Sequence, residues 1–236
     1  PATLFRLAQA ASRDATGGQD AAAVYAKIAN RMAELLSDVR DVHVDRDETR
    51  ELLTVIVRDE RGTPHPARAL SDGTLRFLAL AVAEADPNMR GVICLEEPEN
   101  GIHPERIPAM LRLLRSIAAN PECPDESEDP LRQVIVNTHS PAVVAEVPDE
   151  SLLIAQPHEY MRDDTRCCRA EFAALADTWR TKAGAPVIAP GKLLPYLSPV
   201  LREYGGSSHE KMHKRRRGRV IDRCDITPLL FPESET

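Results

Sequence analysis

Two short apolar runs, Val92–Leu95 and Val134–Val136, each stop abruptly in polar residues followed by a proline, reading VICLEEP and VIVNTHSP. No other feature constrains the fold as much. A short continuous apolar strand, without the alternation of a half-solvated one, reads as a parallel strand covered on both faces. Parallel neighbours need a crossover, and the chain between the runs offers one. ERIPAMLRLLRSIAAN carries apolar residues at helical spacing, with Pro104 at a position suited to a helix start.

The alternation extends in both directions. Residues 20–37 have helical periodicity with Asp20 as a candidate N-cap, and VHVDRD and ELLTVIVRDERG read as two strands, the second ending at an Arg-Gly turn. Residues 74–86 form an apolar helix opened by Leu-Ser-Asp-Gly, and SLLIA (151–155) reads as a third apolar strand of the same kind. The expected class is α/β, with parallel strands flanked by helices. From about 157 the pattern weakens into a helix near 170–182, a Gly-Ser break at 205–208 and a basic end. This gives two expected parts, residues 1–156 and an irregular helical extension over 157–236.

Glu96 and Glu97 stand side by side at the end of the first run. Two adjacent carboxylates repel one another and resist desolvation unless positive charge is near. In α/β sheets ligands sit beyond the carboxyl ends of the strands, which puts Thr138-His139-Ser140 on the same rim as the glutamates. Two carboxylates and an imidazole suit phosphoryl transfer to water: one carboxylate for magnesium, one for the attacking water, the histidine for the terminal phosphate. Each piece alone has a plainer reading. A histidine after a strand is often a hydrogen-bonded structural residue, and Leu70-Ser71-Asp72-Gly73 alone is an N-cap.

The order of the pieces sharpens the case. LSDGT at 70–74, then EEPENGIHP at 96–104, then THSP at 138–141 resembles the ABC-type ATPase module, and more closely its RecF, SMC and OLD-like branch, over residues 35–155. The resemblance implies the C-terminal lobe of a P-loop NTPase that binds ATP with Mg2+ and dimerises around the nucleotide. Ser71, Asp72, Gly73 and Thr74 then match the signature loop that meets the γ-phosphate held by a partner subunit. Asp72 and Thr74 replace the commoner Gly and Gln. Glu96 matches the Walker B carboxylate, where Asp is usual, and would hold magnesium through water. Glu97 matches the catalytic glutamate, His103 falls in the D-loop, and His139 matches the switch histidine. The family setting implied is DNA repair or antiviral defence, with DNA and an effector nuclease as partners. A non-enzymatic lobe that dimerises or scaffolds an effector is the alternative.

The sequence contains no G-x-x-x-x-G-K-[ST]. GGQD at 17–20 lacks the lysine, and PGKLLP at 190–195 lacks the first glycine and the hydroxyl. The expectation is therefore an N-terminal P-loop lobe, upstream of Pro1 or on another chain. His209-Glu210-Lys211-Met212-His213 spells the zincin H-E-x-x-H, yet it runs into KRRRGR with Met212 as its apolar residue, a poor zinc groove. The basic run suits phosphate contact or plain solvation, and without interleaved aromatics it offers no base stacking.

Bulk properties agree. A net charge of −7 argues against a surface wholly devoted to nucleic acid. No apolar run approaches a bilayer span, so no membrane role is expected. Five cysteines without a CxxC spacing suggest reduced cytoplasmic thiols, with Cys94 a small core residue of its strand.

Overall fold

The computed structural model describes residues 1–13, 21–118, 132–193 and 219–220. The proposed N-cap Asp20, the GGQD stretch, the acidic PECPDESEDP segment, HEKMH and nearly all of the basic run lie outside the described residues. The chain divides into two compact units, Pro1–Asn137 and Thr138–Thr236.

The first unit opens with helices α1 (Ala2–Arg13) and α2 (Ala21–Ala33). A three-stranded antiparallel sheet follows, of β1 (Val39–Asp47), β2 (Leu52–Asp59) and the short β3 (Pro64–Pro66). Val42 pairs with Val57 and Val44 with Val55. Val42, Val55 and Val57 are buried, and α2 packs on β1. Helix α3 (Asp72–Ala85) packs against α2 and against α4 (Ile107–Ile117). Leu4, Ile28, Met32, Phe77, Met110, Leu113 and Ile117 are fully buried among these helices. An ion pair ties α2 to α3 within the helical layer. Arg31 donates from Nε to Glu84 Oε2 at 2.9 Å, and its Nη2 also reaches Glu84 Oε1.

Burial alone would raise the Glu84 carboxyl, but bonds from Arg31 and Ser116 and the Arg31 and Lys27 charges hold it below the ordinary carboxylate range. A depressed carboxylate contributes stability above its unfolded pKa and loses it as pH falls through the lower folded value. Glu84→Gln is therefore expected to cost on the order of 1–2 kcal/mol at neutral pH, after allowance for solvent screening. The gap between mutant and parent should close below about pH 4. Thermal melts of both proteins across that range check it.

Strands β4 (Gly91–Glu96) and β5 (Arg132–Asn137) pair in parallel, from Gly91 opposite Arg132 to Glu96 opposite Asn137. The parallel pairing matches the sequence reading, but the expected burial on both faces does not hold. Val92 is 58% and Ile135 51% exposed, and Cys94 is exposed rather than a core residue. The alternate positions Ile93, Leu95, Val134 and Val136 are partly covered, and α4 packs on β5. With two strands in this sheet, the face carrying Val92, Cys94 and Ile135 is open among the described residues.

The second unit has a short helix α5 (Pro141–Glu146), then strands β6 (Leu153–Arg162) and β7 (Thr165–Ala174), and α6 (Trp179–Lys182). Here the sequence reading needs correction. SLLIA leads not into another parallel strand but into an antiparallel hairpin, and residues 170–174 of the expected 170–182 helix belong to its second strand, Thr165–Ala174. Asp163 and Asp164, at φ 47° and 58°, make the two-residue left-handed turn whose twist suits a hairpin. Pairing from Leu153–Ala174 to Arg162–Thr165 overrides the helical propensity of AEFAALAD. Val144, Ala145, Ala173, Leu175, Ile188, Leu193 and Val220 form this unit's core. The Gly-Lys of PGKLLP lies in a short 3-10 helix, Pro190–Leu193, where Lys192 donates to Gln156.

Candidate active site

β4 and β5 end level with one another, Glu96 beside Asn137. Glu97 is the first residue beyond, and its N–H extends the ladder by donating to Asn137 O at 2.8 Å. The chain then reverses. Pro98 disfavours the right-handed helical region for the residue before it, and Glu97 adopts φ 43°, the left-handed region. For a residue with a Cβ that conformation costs about 1–2 kcal/mol, so the surroundings must hold it. Arg76 Nη1 donates to Glu97 O at 2.6 Å, and Asn100 N–H donates to the same carbonyl at 3.1 Å. Asn100 Nδ2 donates to Glu97 Oε2 at 2.5 Å, fixing one carboxylate oxygen.

Ser71 caps α3, its hydroxyl oxygen accepting from Thr74 N–H at 3.2 Å and lying 2.9 Å from Thr74 Oγ1. Ser71 and Asp72 are exposed, whereas Gly73 and Thr74 are buried. A side chain at position 73 would put its Cβ 2.3 Å from Gly101 O and 2.6 Å from Gly101 C, so the backbones of the two loops meet there. Gly101 itself stands at φ 81°. His103 caps the 3-10 turn Pro104–Arg106, Nδ1 accepting from Glu105 N–H at 3.4 Å, with its ring largely exposed.

Seven of the eight residues singled out from the sequence thus lie on the adjoining 71–74 and 96–103 segments of the first unit. His139 belongs to the second unit. It is exposed, two residues past Asn137 in sequence, between Thr138, whose Oγ1 accepts from Ser140 N–H at 2.9 Å, and Ser140 at the start of α5. Among the described residues no three His, Cys, Asp or Glu side chains converge as a metal cage. The donors at Glu96 and Glu97 are hard carboxylate oxygens, which fit magnesium of the kind held by one or two carboxylates together with substrate phosphates.

The family model described as "AAA domain, putative AbiEii toxin, Type IV TA system" matches residues 7–145, well over half the chain. The chain belongs to this family. Its α/β fold is therefore of the P-loop ATPase kind, a class that works with ATP and Mg2+. No curated protein matches the chain. Among solved structures it is similar to one described as "Structural biochemistry of ATP-driven dimerization and DNA stimulated activation of SMC ATPases". Identity there is 13% and the TM-score 0.42, over 88% of this chain and 99% of that one. The Smc head domain with a coiled coil and joint from Pyrococcus yayanosii gives 12% identity and a TM-score of 0.36, over 61% of this chain and 26% of that chain. The SmcHead bound to the C-winged helix domain of ScpA gives 13% and 0.39, over 66% of this chain and 45% of that chain.

Around the candidate site, Arg76, Asn100 and the carbonyl of Asn137 hold Glu97 in place, and none of them stands out in the sequence as a candidate site residue. Arg76 does carry a weaker signal, being a cation in an otherwise apolar stretch of α3. Among the described residues no helix is long and apolar enough to cross a membrane.

Proposed function

We propose that this chain supplies the acidic side of a Mg–ATP hydrolysis site that a P-loop lobe completes, and that two such assemblies close around nucleotide. The observation that carries this reading is Glu97. It stands at the end of a parallel strand pair, in a left-handed turn tied by hydrogen bonds to β5, α3 and Asn100. A carboxylate held that firmly suits a general base, taking the proton of the attacking water. Glu96, in the place of the usual Asp, would hold magnesium through water. Bound Mg–ATP supplies the phosphoryl group and the positive charge that lets the two carboxylates coexist.

Ser71, Asp72, Gly73 and Thr74 face the γ-phosphate of the opposite assembly. The Ser71 hydroxyl and the buried Gly73 backbone are the useful donors there, since the Asp72 carboxylate in the first turn favours the helix dipole but repels phosphate. His103 lines the same dimer face, and His139 is the candidate switch histidine. The family's description names a toxin of a type IV TA system. We place the whole protein in such a defensive setting or in DNA repair, and stimulation of hydrolysis by DNA would favour the second.

The test is ATP-dependent self-association of the chain with its P-loop lobe, followed by light scattering. The parent should dimerise on adding Mg–ATP. Ser71→Arg should stay monomeric at the same nucleotide concentration while losing only about 1 kcal/mol of stability with the cap. Dimerisation that ignores both nucleotide and this substitution would point instead to the scaffold role.

A further inference from the structure

Gly73 and Arg76 are three residues apart on α3 and therefore share a helix face. Both touch the turn that carries the carboxylate, at opposite ends. Gly73 meets Gly101 backbone to backbone, and Arg76 Nη1 bonds the Glu97 carbonyl at 2.6 Å. Arg76 is only partly exposed and makes no ion pair among the described residues. A half-buried guanidinium would ordinarily seek a carboxylate, with its bidentate geometry. Here its bond goes to a neutral carbonyl, that of the residue in a left-handed conformation. Asn100 N–H shares that acceptor, so the same oxygen both closes the turn and anchors it to α3.

We infer that Arg76 is a positioning residue for Glu97: by holding the Glu97 carbonyl it fixes the strained turn, and it makes the helix behind Ser71 and the catalytic carboxylate move as one body. The catalytic half of this rests on the proposed function; the mechanical half does not. Displacement at the Ser71 loop then reaches Glu97 without passing through ligand.

The experiment uses three forms of the chain: the parent, Arg76→Met, which keeps the apolar stem without a donor, and Arg76→Lys, which restores one donor. Hydrogen exchange is read over residues 96–103, with the β1–β2 sheet as internal control. Arg76→Met should raise exchange at the Glu97 and Asn100 amides about tenfold, leaving β1–β2 and the melting temperature near the parent, and Arg76→Lys should recover part of the protection. With the P-loop lobe added, kcat should fall in Arg76→Met with KM nearly unchanged, and recover partly in Arg76→Lys. Unchanged exchange over 96–103 would overturn the inference, as would faster exchange with parental kcat while Glu97→Gln is inactive. If Glu97→Gln hydrolyses normally, the functional reading fails instead, and exchange still reports the clamp.

Discussion

Glu97→Gln, assayed with the P-loop lobe present, should bind nucleotide as the parent does and turn it over at least about a hundredfold more slowly. The amide is isosteric and can offer its oxygen to Asn100 Nδ2, now 2.5 Å from Glu97 Oε2. The main-chain bonds from Arg76 and to Asn137 do not involve the side chain and should survive. What is lost is the basic oxygen, so chemistry suffers and assembly does not. The expected signature is an ATP-bound dimer that persists. Parental steady-state hydrolysis by the purified mutant would remove Glu97 from the mechanism.

The parts of the fold that were legible in the sequence are those fixed by local pattern. The apolar runs ending in EEP and THSP gave β4 and β5 and their parallel sense, because a helix-bearing crossover lies between them. Ser71 as the cap of α3 follows from hydroxyl chemistry at a helix start. The exposure of Val92 and Ile135 was not legible, since a strand's composition records the cover it suits and not the layers present. The β6–β7 hairpin was misread because Ala, Phe and Leu at 170–175 satisfy a helical period as well as a strand. The deciding feature is Asp163-Asp164, a left-handed two-residue turn that suits a hairpin.

At the site, the types and order of residues were legible and the bonds between loops were not. Glu97 and Gly73 stood out as motif letters. That one needs φ 43° and the other has no room for a Cβ is a tertiary fact, set by Pro98, Arg76 and Gly101. Arg76 contributes to the site through a carbonyl 21 residues away, a partnership no spacing rule reports.

The central claim is that this chain carries the acidic side of the nucleotide site and lacks the cationic cradle. On the proposed reading Glu96 and Glu97 would confront a polyanionic nucleotide through magnesium alone, since the sequence contains no G-x-x-x-x-G-K-[ST] to supply a lysine and a nest of amides for the β- and γ-phosphates. On the proposed reading the signature loop meets only the γ-phosphate across the dimer and does not replace that cradle. Titration calorimetry of the 236-residue chain with Mg–ATP measures the claim directly. The account predicts at best about millimolar affinity, near −4 kcal/mol, rising to micromolar with Glu97-dependent turnover when a P-loop lobe is added. Micromolar binding by this chain alone would contradict it.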